Sequence, residues 1–134
     1  GASFALFVDL SPEAGRLIEA NLRACLPQPR AAFVSLNLAT TPHLHSLRTR
    51  MEAGARFDLV FMDPPYQKNL AQQALAMVDK ADILGAGALV VVEEQRRVTL
   101  PEKVGSLALI DHRRYGETGL WFYETLPETN EHHE

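Results

Sequence analysis

The chain has 134 residues, of which 46% are hydrophobic and 22% charged, the balance of one domain that buries an apolar core. No apolar run approaches the roughly 20 residues that cross a bilayer, and the opening GASFALFVDL lacks the basic flank of a signal peptide. A single cysteine, Cys25, excludes an internal disulfide, and a net charge of −4 argues against sequence-blind nucleic-acid binding through a dense Lys/Arg surface. The expected location is the cytoplasm.

Residues 4–8 (FALFV) form a short apolar run closed by Asp9, the pattern of a strand buried on both faces. Ser11-Pro12-Glu13 then starts a helix, because serine caps, proline suits the first helical position and glutamate favours the positive end. Ala14, Leu17, Ile18, Leu22 and Cys25 share its apolar face, so Cys25 reads as core and not as a nucleophile. Pro27 and Pro29 end the helix. The unit repeats: residues 31–36 (AAFVSL) read as a strand, and Thr41-Pro42 starts a helix striped by Leu44, Leu47 and Met51. His43 and His45, two apart, share no helical face, so no metal site is expected.

Residues 57–62 (FDLVFM) are a third strand, running into Asp63-Pro64-Pro65-Tyr66. A helix follows over 69–80, with Leu70, Ala74, Met77 and Val78 inward, and Gly85 and Gly87 turn the chain into a fourth strand over 88–92. Beyond it, 107–111 and 119–124 are strand-like and joined by RRYGET, too short for a helix, which predicts a hairpin. Parallel strand–helix alternation closed by an antiparallel pair predicts an open α/β sheet with helices on both faces. Residues 1–126 are assigned to this domain, and 127–134 to a polar, disordered tail.

Asp63-Pro64-Pro65-Tyr66 carries the most chemistry. It follows a strand, at the carboxyl end where open α/β sheets bind ligands. Consecutive prolines stiffen the loop and push their predecessors towards extended geometry. The loop thus presents a carboxylate, a backbone carbonyl and an aromatic ring. Such a set can accept both hydrogens of a planar amino group while the ring stacks on its base, leaving the nitrogen lone pair free to meet an electrophile. The competing reading is a rigid turn with Tyr66 packed as a lid.

[DNS]-P-P-[YF] after the fourth strand is the signature of methyltransferases that modify exocyclic amino groups of bases. With LFVDLSPEAGRLIEANL, FDLVFMDPPY, GALVVVEE and RRYGETGLWFYE, the chain resembles the RsmD family, S-adenosylmethionine-dependent enzymes that methylate guanine N2 in small-subunit ribosomal RNA. The resemblance implies a Rossmann-like class I methyltransferase fold with strand order 3-2-1-4-5-7-6, and RNA or its assembly particle as partner. It implies that Asp63, Pro64, Pro65 and Tyr66 hold the amine and stack the base. Asp9 and Leu10 would meet the cofactor ribose, Asn37 and Leu38 its adenine, with Asp63 also lining the cofactor site. Many relatives carry aspartate where Asn37 stands. A capping role is the alternative for Asp9. Lys68, Arg96, Arg97, Arg113, Arg114 and Tyr115 could form an RNA-facing edge; a solvated charged face is the alternative. Glu93 and Glu94 lie near the same edge.

The family opens with a strand and a glycine-rich loop of the type D-x-F-x-G-x-G, and no such loop occurs in this sequence. With that first strand missing, weak or absent cofactor binding by the 134 residues alone is expected, as is self-association through a gapped sheet. An adenine-N6 methyltransferase, or a non-catalytic α/β binding module with a relic motif, are the other readings.

Overall fold

A computed structural model describes residues 4–9, 12–25, 31–35, 45–64 and 69–127. The chain divides into two compact units, Gly1–Pro42 and His43–Glu134.

In the first unit, β1 (Ala5–Asp9) pairs in parallel with β2 (Ala31–Ser35), from Ala5 opposite Ala31 to Asp9 opposite Ser35. Helix α1 (Pro12–Cys25) makes the crossover that a parallel pair requires. Its orientation departs from the predicted stripe: Leu17 is 67% exposed and Cys25 is also exposed. The cause is Gly15, which is buried, and at which an added Cβ would come within 2.6 Å of the Phe33 ring. The helix therefore lies on its glycine side. Leu17, two residues on, points about 200° away at 3.6 residues per turn. Phe7 is also partly open, so β1 is not buried on both faces.

The second unit is a five-stranded sheet ordered β3-β4-β7-β6-β5, from β3 (Phe57–Met62), β4 (Leu84–Gln95), β5 (Lys103–Val104), β6 (Leu107–Tyr115) and β7 (Thr118–Thr125). This reproduces the expected 4-5-7-6 run, with the last strand inserted beside β4. Among the described residues of this unit, β3 and β4 pair in parallel and the other pairs are antiparallel. Helix α2 (Leu70–Lys80) packs on β4. It buries Leu70, Ala71, Ala74, Leu75 and Val78, while Val90, Val92, Trp121 and Tyr123 fill the sheet's better-covered face. A fully buried side chain such as Leu75 contributes about 1.5–3 kcal/mol. Leu75 completes the stripe predicted from Leu70, Ala74 and Val78; Met77 is only half-buried.

Several boundaries shift. Strand β3 is not enclosed: Leu59 and Phe61 are 61% and 59% exposed, because among the described residues β3 pairs with β4 alone. Strand β4 runs through Gly85 and Gly87. Its register jumps from Phe57 opposite Leu84 to Leu59 opposite Leu89, and Gly87 takes φ 70° in the irregular stretch. The predicted second helix is a 3-10 turn, His45–Arg50, that buries Leu47; residues 36–44 lie outside the described ones. The hairpin strands reach Tyr115 and Thr118, leaving Gly116-Glu117 as the turn, with Gly116 at φ 59°. No described helix is long and apolar enough to cross a membrane. Apart from Pro127, the predicted tail lies outside the described residues.

Candidate functional site

Asp63 and Pro64 follow directly on the carboxyl end of β3. Asp63 is exposed and Pro64 buried, so the proline anchors the loop while its neighbour's carboxylate faces outward. Pro65, Tyr66 and Lys68 lie outside the described residues, as do Leu10, Asn37 and Leu38. Asp9 closes β1 opposite Ser35. Both motif aspartates thus stand at carboxyl ends of parallel strands, each within its own unit.

The register of the second unit sets out what lies beside Asp63. Met62 is opposite Val92, Val92 opposite Trp121, and Trp121 opposite His112, in one row across four strands. At about 4.8 Å per strand spacing, His112 is about 15 Å from the end of β3. The next residues along β4, β7 and β6 bring Glu94, Gly119 and Arg114 to the same end of the sheet. Glu94 is 3% exposed, and its Oε1 accepts a 2.8 Å hydrogen bond from the Gln95 amide.

The predicted basic edge divides between the two faces of the sheet. Strand alternation sends Asp111, Arg113 and Tyr115 to one side and His112 and Arg114 to the other. On the first side, Arg113 pairs with Asp111 at 2.9 Å and sits 5.4 Å over the Phe122 ring. Hydrogen bonding to Asp111 and then to Tyr115 raises the guanidinium pKa further above its already high value. On the other side, Arg114 joins Arg96 and Arg97 around a recess of about 620 Å³ walled by His112 and Trp121. Sequence reasoning named these three arginines within an RNA-facing edge but missed the wall of His112 and Trp121. Counting back from the Gly116-Glu117 turn places His112 opposite Trp121 and Arg114 opposite Gly119, so the signal was present in HRRYGETGLW.

Among the described residues no three His, Cys, Asp or Glu side chains cluster as metal ligands. A family model described as Conserved hypothetical protein 95 matches residues 1–124. The chain belongs to this RsmD-like family. A Bacillus subtilis (strain 168) relative, provisionally named rRNA methyltransferase YlbH, is 33% identical over 124 residues. That match covers 92% of this chain, which spans 65% of the relative's length.

Solved structures show the same fold. A provisionally named methylase of Haemophilus influenzae superposes with TM-score 0.72 at 22% identity, covering 94% of this chain and 74% of its own. A provisionally named methyltransferase of Escherichia coli, yhhF, gives 0.71 at 21% identity, covering 93% and 64%. The α/β architecture of this RsmD-like chain is therefore a methyltransferase fold.

Proposed function

We propose that the chain is the motif-bearing part of an S-adenosylmethionine-dependent methyltransferase that modifies the exocyclic N2 amine of guanine in small-subunit ribosomal RNA. The observation that carries this reading is the Asp63-Pro64 step. An outward carboxylate on a proline-anchored loop stands at the carboxyl end of β3, at the head of Asp63-Pro64-Pro65-Tyr66. Family membership and the rRNA methyltransferase name of the Bacillus relative support it.

The donor set suits the cofactor. A carboxylate ending a parallel strand is the group that α/β folds use on ribose hydroxyls, and Asp9 ends β1 in that way. Leu10, Asn37 and Leu38 would complete the nucleoside contacts. When bound, S-adenosylmethionine supplies an electrophilic methyl group on a sulfonium.

Asp63 accepts one hydrogen of the guanine amine and the Pro64 carbonyl the other, while Tyr66 stacks on the base. This is catalysis by orientation: the nitrogen lone pair is held towards the methyl carbon, and the residues need not be strong bases. Once the nitrogen carries the methyl group, Asp63 is positioned to take the proton it sheds.

The test uses a chimera in which the part of the Bacillus relative outside the match completes the chain. Titration with S-adenosylhomocysteine is expected to show unit stoichiometry, weakened about tenfold or more by Asp9→Ala through loss of charged hydrogen bonds. Absence of binding by a folded chimera would remove the cofactor from the reading.

A further inference from the structure

We propose that the recess between the β6–β7 hairpin and the segment that follows β4 is a phosphodiester-binding site, which grips the RNA strand about 15 Å from the methylation loop. The inference rests on the RNA reading above and adds to it a place where the strand is held.

Three observations converge. Arg96, Arg97 and Arg114 come from two segments remote in sequence and meet at one recess. Guanidinium groups favour phosphate because their planar donors match its oxygens. Their charge is also uncommitted. Among the described residues Arg23, Arg48, Arg56 and Arg113 each pair with a carboxylate, whereas Arg96, Arg97 and Arg114 form no ion pair. Arg97 is steered by a 3.0 Å hydrogen bond from its Nε to Gln95 Oε1. Glu102 and Glu117 also line the recess, so its net charge is about +1 and its preference for anions is local.

The wall supplies the third observation. His112 lies flat on Trp121, and its Nε2 is buried without a hydrogen-bond partner among the described residues. An unsatisfied buried nitrogen is costly, and a ligand oxygen accepting from its N–H would offset that cost. The recess opens at the same end of the sheet as Asp63. At about 3.4 Å per stacked nucleotide, the separation corresponds to about four nucleotides. The recess is thus placed to fix the register of a strand whose target base lies at the loop.

The test is fluorescence anisotropy of a labelled 12-nucleotide single-stranded RNA with the 134-residue chain, across a salt series. The double variant Arg96→Gln/Arg114→Gln is expected to weaken binding and flatten the slope of log K against log salt by about 1 per arginine. His112→Phe keeps the ring stack and removes the nitrogen, and is expected to weaken binding without unfolding. Glu117→Gln should strengthen binding, and Arg23→Gln, at a surface ion pair on α1, should leave it unchanged. Binding identical to wild type in the folded double variant would overturn the proposal, as would no RNA binding by the wild type at low salt. Displacement of the RNA by inorganic phosphate at constant ionic strength would reassign the recess to a free anion. The methylation reading fails or stands separately, because this measurement needs neither cofactor nor transfer.

Discussion

His112 stacks on Trp121 across the β6–β7 hairpin, with ring centroids 4.3 Å apart and planes 17° from parallel. The stack depends on a missing side chain. A Cβ at Gly119 would lie 2.6 Å from the six-membered ring of Trp121 and 3.4 Å from His112 Nε2. Trp121 is 2% exposed, so its indole could give way only by leaving its packed position. Gly119→Ala is therefore expected to cost about 1–3 kcal/mol as an overpacking substitution. Urea denaturation checks this; an unchanged midpoint would show that the indole can move.

Tyr123 ties the wall of the recess to the core. Its ring is fully buried, and its hydroxyl donates a 2.6 Å hydrogen bond to the Pro101 carbonyl. Burial pushes the phenol up to about 12 from its ordinary 10. The folded state thus favours the protonated phenol, and the stability this gives is full below pH 10 and lost as pH rises through 12. Wild type should lose on the order of 2 kcal/mol across that window. Tyr123→Phe should start about 1 kcal/mol lower at neutral pH and lack this part of the alkaline loss. Denaturation midpoints at pH 8, 10 and 11.5 separate the two behaviours.

The turn between β5 and β6 hangs on Asp79. Its Oδ1 accepts hydrogen bonds from the Ser106 amide and hydroxyl, and Gly105 beside it takes φ 58°. A Cβ at Gly105 would run into the Asp79 carboxylate. Gly105→Ala and Asp79→Ala should each destabilise by about 1–2 kcal/mol. The double variant should cost less than their sum, since both remove the same contact. Strict additivity in thermal unfolding would contradict the coupling.

Elements whose pattern is local were legible in the sequence. Strand β3 followed from FDLVFM and α2 from its apolar spacing; the RRYGET turn fixed the hairpin, and the order 4-5-7-6 came from the family resemblance. What escaped depended on tertiary contact. The outward turn of Leu17 and Cys25 follows from Gly15 meeting Phe33, which no periodicity encodes. Gly85 and Gly87 read as a turn because an irregular strand uses the same residues. At the site, Asp63 falls where the motif predicts, at the end of β3. Arg113 and Arg114 were grouped as one edge because adjacency in sequence hides the alternation that sends them to opposite faces.

The central claim is that Asp63 orients a guanine amine for methyl transfer. The most direct measurement supplies the completed chimera with isotopically labelled S-adenosylmethionine and small-subunit ribosomal RNA, digests the RNA to nucleosides and identifies the labelled one by mass spectrometry. The expected result is label in N2-methylguanosine, reduced at least about a hundredfold by Asp63→Ala, as for loss of a preorganised transition-state contact. Label in N6-methyladenosine, or transfer unchanged by Asp63→Ala, would contradict it.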